Sequence, residues 1–248
     1  MNIMIFDTET TSLTKCFTYN VGYVIYDTDS NSVLVERDYV IEQIWHNLPL
    51  FSTAYYAEKR PIYVNRMRSR KVIMKKFGQV TQQMIRDIEN YNVEGAYAYN
   101  SPFDTKVFEF NCDWFKVVNP FDTIPIFDIR GYVHKFIAFT ENYKACCETN
   151  QLFTETGNYS TTAEAVYKYI TNEIDFEEEH TALNDSRIEL KILLDCLTKG
   201  GELNTEYTVY RTVPRKQLKT LNIYVNKELS YSIQYEKKTS KQDNIYLS

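Results

Sequence analysis

Ile3-Met-Ile-Phe-Asp-Thr-Glu-Thr-Thr-Ser-Leu13 runs from four apolar residues straight into two carboxylates. The apolar run Asn2 to Phe6 predicts a short buried strand. Side chains two apart on a strand point to the same face, so Asp7 and Glu9 are aimed one way from its end. Like charges placed so are costly unless a cation neutralises them, and hard oxygen ligands of this kind suit Mg²⁺ or Mn²⁺. A second carboxylate, Asp104, follows the apolar segment Ala96 to Tyr99 in Asn100-Ser-Pro-Phe-Asp104. A third lies in His180-Thr-Ala-Leu-Asn-Asp185. If Thr181 to Leu197 is helical, Ala182, Asp185, Ile188, Ile192 and Cys196 share one stripe, which sets the Asp185 carboxylate among apolar neighbours. Each piece alone also fits a plainer role. An Asp-x-Glu at a strand end often caps a turn, Asn100 and Asp104 could be turn or cap residues, and His180 could be a surface imidazole beside Glu177-Glu-Glu179.

The surrounding chain supplies the frame. Alternating segments at Tyr19 to Tyr26 and Val33 to Ile41, separated by Asp27-Thr-Asp-Ser-Asn31, predict with the first strand a three-strand antiparallel start. Gln79 to Asn90 then reads as helix, Gly95 to Tyr99 as buried strand, Phe103 to Asn111 as helix, and Ser160 to Thr171 and Thr181 to Leu197 as helices. Strands followed by alternating helix and strand imply an α/β fold with a mixed sheet. Gly200-Gly201 stop the last helix, giving a main domain over 1–199 and an extension over 200–248, in which Glu206 to Val213 and Leu229 to Glu236 alternate like strands.

Composition narrows the function. The chain has 248 residues, 44% hydrophobic and 25% charged, as in an ordinary globular protein. Its seven glycines never take the spacing of a phosphate-cradling loop or a dinucleotide fingerprint, which excludes a P-loop NTPase and a Rossmann oxidoreductase. Five scattered cysteines without a C-x-x-C pair read as reduced core thiols. No stretch approaches the roughly 18 apolar residues of a membrane span, and Asp7 interrupts any signal-peptide core, so a cytoplasmic protein without a membrane partner is expected. Net charge is -5, yet eight basic residues and no acidic one lie between Lys59 and Lys76. Tyr55, Tyr56, Tyr63 and Phe77 accompany that run, and it predicts a phosphate-binding arm, with Arg66, Arg68, Arg70 and Lys71 as candidate contacts. His46 and His134 match no motif.

Taken together, Phe6-Asp-Thr-Glu-Thr-Thr-Ser-Leu13, Asn100-Ser-Pro-Phe-Asp104 and His180-Thr-Ala-Leu-Asn-Asp185 resemble the three motifs of the DEDDh group of 3′-to-5′ exonucleases, which includes the proofreading epsilon subunit of bacterial DNA polymerase III, ribonuclease T and oligoribonuclease. Val21-Gly22 before a strand ending at Asp27 resembles their second strand, so the likeness spans about residues 1 to 198. Ser12 stands where many relatives have glycine, residues 46–76 look like an insertion, and the tail has no counterpart.

The resemblance implies a ribonuclease H-like sheet flanked by helices, and hydrolysis of single-stranded nucleic acid from its 3′ end to nucleoside 5′-monophosphates. Two Mg²⁺ or Mn²⁺ ions would be held by Asp7, Glu9, Asp104 and Asp185, with His180 as general base. Thr10, Thr11, Leu13, Asn100 and Phe103 would grip the terminal nucleotide. Single-stranded DNA is the favoured substrate and a DNA polymerase a compatible partner. The alternatives are RNA trimming and a nuclease-fold protein kept only for binding nucleic acid or a polymerase.

Overall fold

A computed structural model describes residues 1–215 and the backbone of Leu218–Val225 and Glu228–Glu236. Its chain order begins with β1 (Asn2–Thr10), β2 (Thr18–Asp27) and β3 (Ser32–Ile41), followed by the short helices α1 (Glu42–Trp45) and α2 (Leu48–Phe51), α3 (Arg60–Arg68) and β4 (Ile73–Lys75). Next come α4 (Phe77–Asn90), β5 (Val93–Ala98), α5 (Ser101–Phe115), β6 (Ile126–Asp128) and α6 (Ile129–Val133), which runs on into a π-helical turn at His134–Ala138. The series closes with α7 (Glu141–Asn150), α8 (Ala163–Thr171), α9 (Ala182–Thr198), β7 (Leu218–Val225) and β8 (Glu228–Glu236).

Six strands form one sheet in the order β4-β3-β2-β1-β5-β6. β1, β2 and β3 pair antiparallel, while β3 with β4, β1 with β5 and β5 with β6 pair parallel. This is the mixed α/β sheet flanked by helices that the alternation of segments predicts. β1 lies inside it, which is why Ile3 to Phe6 carry no polar side chain. Along β1 the pleat divides the residues between two cores: Met4 and Phe6 join the one beneath α4 and α5, and Ile3 and Ile5 the one beneath α9. Pairing with β5 ends at Ile5 with Tyr97, whereas pairing with β2 continues to Thr10. The last residues of β1 therefore lie beyond the end of β5, beside the start of α5.

Gly22 explains how close α9 comes. It lies opposite Asp7 in the β1–β2 ladder, and a Cβ there would fall 2.0 Å from the Leu183 nitrogen. Only glycine lets the N-terminus of α9 press on the sheet at that point, and Ser186 Oγ fixes the contact by donating to the Gly22 carbonyl at 3.2 Å.

The helices expected from the sequence are present with ends moved by a few residues, and the first strand is longer, carrying Asp7 and Glu9 within it. Residues 46–76, the expected insertion, pack on the sheet through Phe51 and Tyr63, each edge-on to both Tyr19 and Trp45. One expectation changes. Glu206 to Val213 forms no strand but runs as a strap over the domain, where backbone and aromatic contacts hold it. Asn204 N–H donates to the Tyr97 hydroxyl, Tyr210 N–H donates to His134 Nδ1, and Val213 makes a single bridge to Tyr159. β7 and β8 pair antiparallel, and the expected strand Leu229 to Glu236 falls on β8. The rest of the expected extension, 216–217, 226–227 and 237–248, lies outside the described residues. Among the described residues, Cys16, Cys112, Cys147 and Cys196 are buried free thiols and Cys146 is a half-buried one, and no helix is long and apolar enough to cross a membrane.

Candidate active site

The end of β1, the first turn of α5 and the first turn of α9 converge on one cleft. Asp7 and Glu9 share the α9 face of β1. Thr8, on the opposite face, donates its hydroxyl to Asp104 Oδ1 at 2.6 Å and so binds the first motif to the second. Asn100 enters α5 with a left-handed backbone, φ 63°, which turns the chain sharply out of β5 and brings Asp104 over β1 within one helical turn. Asp185 lies in the first turn of α9, nearly buried, with its Oδ1 shut off from solvent and unpartnered.

These carboxylates resist ionisation together. Burial pushes Asp7 well above the usual carboxylate range, and Asp104, Asp185 and Glu178 push it further. Glu9 is raised by burial and then by Asp7, against the opposing pull of Lys59 and the Tyr19 hydroxyl. Burial carries Asp104 up to about 7 although Thr8 bonds to it. Asp185 is carried to about 9 by burial, Glu178 and Glu9. A cluster that neutral water leaves part-protonated is the electrostatic complement of a cation.

The donor set fits a hard divalent ion: carboxylate oxygens, one of them buried and unsatisfied, with an imidazole at the rim. Ligand atoms of Glu9, His180 and Asp185 lie within 4.8 Å of one another. The geometry thus gives His180 a position within ligand reach, beside its expected role as base. Its imidazole is drawn below its ordinary range by burial and by Lys59, so it is neutral at pH 7 and able to accept a proton.

Several residues at this site carry no sequence motif. Tyr56, from the insertion, stacks on the His180 ring with centroids 4.3 Å apart and planes 14° from parallel. Lys59 places its ammonium 4.5 Å from the Tyr56 ring centre and donates to the Glu179 carbonyl at 2.6 Å. Glu178 is pushed up to about 7 by burial and Glu164, and its Oε2 lies 3.6 Å from His180 Nδ1. Glu189, one turn beyond Asp185, is buried behind the cluster, accepts the Tyr99 N–H at 3.1 Å, and is held well above its usual range by burial, Asp7, Asp104 and Asp185. In sequence, Tyr56 and Lys59 belong to the aromatic basic run and Glu178 to the acidic run before His180, with nothing that ties them to the carboxylates, while Glu189 is spaced four from Asp185 on the same helix.

The loop that carries His180 is tied down by a polar network from the sheet. Asn20 Oδ1 accepts from the Ala182 N–H at 2.8 Å and from the Tyr63 hydroxyl at 2.9 Å, while Asn20 Nδ2 donates to Asp38. Arg66 completes it, donating to Asp38 Oδ2 at 2.9 Å, Thr181 Oγ1 at 2.9 Å and Glu179 Oε2 at 3.2 Å. Arg66 is therefore an internal clamp, not a free phosphate contact, because Nη2 is taken by the buried Asp38 carboxylate and Nη1 by Thr181 and Glu179. Arg60 likewise covers Trp45 and Phe51. Arg68, Arg70 and Lys71 do lie on the surface, the last two lining a groove with Tyr39 and Arg187.

The other expected substrate residues are scattered in exposure. Leu13 is open to solvent and Asn100 exposed, Thr10 and Phe103 are half-buried, and Thr11 is fully buried, its hydroxyl donating to the Lys15 carbonyl. Lys106 reaches from α5 to the Leu13 carbonyl at 3.2 Å and holds this loop beside the second motif.

No protein-family model matches the chain, and no curated protein matches it. Among solved structures it is similar to the crystal structure of E. coli Exonuclease I in complex with a dA16 oligonucleotide, at 13% identity over 81% of this chain and 41% of that one, with a TM-score of 0.46. The chain thus spans less than half the length of that neighbour.

Proposed function

We propose that the protein is a metal-dependent 3′-to-5′ exonuclease of single-stranded nucleic acid, with DNA the preferred substrate. The observation that carries this reading is the convergence of Asp7, Glu9, Asp104 and Asp185, from three separate segments, in one cleft where each raises the proton affinity of others. A module that only bound nucleic acid would be hindered by such a cluster, since it repels phosphate.

Two divalent ions, Mg²⁺ or Mn²⁺, would supply hydroxide activation and charge stabilisation on the phosphoryl oxygens. Asp7, Glu9 and Asp185 are the residues to hold the first, with Asp7 and Asp104 completing the second. His180, neutral at pH 7 and steadied by the Tyr56 ring, takes the proton of the attacking water. Asn100, Phe103 and the loop Thr10 to Leu13 border the place where the terminal nucleotide would rest.

The test is degradation of end-labelled DNA and RNA oligonucleotides, blocked in turn at each end, with Mg²⁺, Mn²⁺ or EDTA. Stepwise loss from an unblocked 3′ end of DNA, abolished by EDTA, is expected. Equal or faster loss of RNA would move the assignment to RNA trimming, and no metal-dependent loss from either would overturn it.

A further inference from the structure

Beside the acidic cleft lies a cavity of about 340 Å³ with the opposite character. Tyr99, Asn100, Arg130, Thr154, Thr161 and Thr162 line it, and no carboxylate does. Its charge comes from Arg130, at the start of α6. Among the described residues, the Arg130 guanidinium makes no ion pair and no hydrogen bond, and its Nε is buried without a partner. An arginine is charged at any physiological pH and brings five donors in a rigid fork, so leaving it half-buried and unanswered is unfavourable unless something else accepts from it.

Its backbone is fixed. Asp128 Oδ1 accepts the N–H of Arg130 at 2.9 Å and the N–H of Asn100 at 2.9 Å, so one oxygen ties the start of α6 to the entry of α5. Asp128 is the acid whose field reaches Arg130, with its Oδ1 taken by two backbone donors and no ion pair to the guanidinium among the described residues. Asn100, which lines the cavity, is the residue that enters α5 four positions before Asp104, so the cavity opens at the helix end that carries one of the carboxylates. A strand whose end lay among the carboxylates would meet their negative charge, and a cation beside them would offset it for a neighbouring phosphate.

We propose that the Arg130 cavity binds an internucleotide phosphate of the single strand whose 3′ end lies at the carboxylates. This rests on the exonuclease reading above and adds a subsite to it. The phosphodiester oxygens accept from the guanidinium fork of Arg130, whose backbone Asp128 ties to the α5 entry.

The experiment measures binding of fluorescein-labelled dT12 across a salt series, with Ca²⁺ present and Mg²⁺ absent, for wild type, Arg130→Gln and Arg130→Lys. Loss of the charge is expected to weaken binding about 10-fold at low salt and to make the log–log salt slope shallower by about 0.7, the increment for one single-strand phosphate contact. Arg130→Lys should recover the slope and part of the affinity, because it keeps the charge but not the fork. The deficit should shrink as the strand is shortened towards a dinucleotide. A slope and affinity in Arg130→Gln equal to wild type, with an unchanged circular dichroism spectrum, would overturn the assignment. If Arg130→Gln does not fold, Arg130→Lys decides, since full wild-type affinity there would remove the bidentate contact. Hydrolysis of the same oligonucleotide by wild type in Mg²⁺ separates the two readings: turnover with an unaltered Arg130→Gln slope sinks the cavity alone, and salt-dependent binding without turnover sinks the exonuclease.

Discussion

Replacing Asp104 by Asn should stabilise the metal-free protein while ending its activity. Asp104 is buried with a carboxyl pushed up to about 7, against an ordinary value of 3.8. Between those values the native state keeps a proton that the unfolded chain has released. The stability this proton brings is complete below about pH 4 and is lost as pH rises through 7. At 1.36 kcal/mol per pH unit the gap is worth about 4 kcal/mol at pH 8. Part of it is shared with Asp7, which titrates with Asp104, so about 2 kcal/mol is the expected gain from one substitution. Asn keeps an acceptor for the Thr8 hydroxyl and carries no charge. For a chain of this size 2 kcal/mol corresponds to about 4 to 8 °C in Tm. The assay is thermal unfolding in EDTA at pH 5, 7 and 8.5. Wild type should melt progressively lower as pH rises, in a window extended towards 9 by Glu178 and Asp185, which are raised to about 7 and about 9. Asp104→Asn should melt higher than wild type at pH 8.5 and follow a flatter profile, and Mg²⁺ should raise wild type more than the variant. A variant no more stable than wild type at pH 8.5, together with a pH-independent wild-type Tm, would refute the electrostatic account of the cleft.

Asp7→Ala, Glu9→Ala and Asp185→Ala should each abolish Mg²⁺-dependent turnover with the fold intact by circular dichroism; retained activity of Asp7→Ala at saturating Mg²⁺ would exclude its place at the metals. His180→Ala should lose about 10² to 10⁴ in rate and, with it, the acid limb of the pH profile, while Tyr56→Ala should lower kcat with little change in KM and Tyr56→Phe restore it, since the stack needs the ring and not the hydroxyl. Arg66→Ala should destabilise the protein by about 3 kcal/mol, because it strands the buried Asp38 carboxylate, measured by denaturant unfolding. Arg68, Arg70 and Lys71 changed together to Ala should leave stability within about 0.5 kcal/mol and flatten the salt dependence of binding to long strands, and an unaltered slope would make them a solvated face.

What the sequence made legible follows from how local the signal was. The strand Ile3 to Phe6 and the carboxylates after it could be read because a period of two, a sudden change from apolar to acidic and a shared face all lie within a few residues. The helix bearing Asp185 could be read for the same reason. By contrast β6 has three residues, too few for any period, yet it ends in the Asp128 that positions Asn100 and Arg130. The basic run shows why composition misleads about direction: Arg66 and Arg70 are alike in sequence, but one fills a buried network and the other faces solvent. In Glu177-Glu-Glu179 three identical residues separate in the same way, with Glu178 turned towards His180 and Glu179 bound to Arg66 and Lys59.

The contact of Tyr56 with His180 joins residues far apart in sequence, from a segment that the motifs pass over. The same segment touches two sides of the cleft: Thr53 donates to the Thr11 carbonyl behind the first motif, Lys59 reaches the carbonyl before His180, and Arg66 holds the hydroxyl after it. His180 itself has a left-handed backbone, φ 52°, which a non-glycine residue adopts only when its surroundings compel it. The insertion shares that task with the sheet, the Tyr56 ring stacking on the imidazole and Lys59 bonding the Glu179 carbonyl while Asn20 of the sheet accepts from the Ala182 N–H. The carboxylates are set by the sheet and two helices, whereas the imidazole is held by residues of the insertion as well. A change confined to Tyr56 should therefore alter the proton-transfer step while leaving cation binding by the carboxylates in place, whereas one at Lys59 should also move Glu9, whose charged form its ammonium favours.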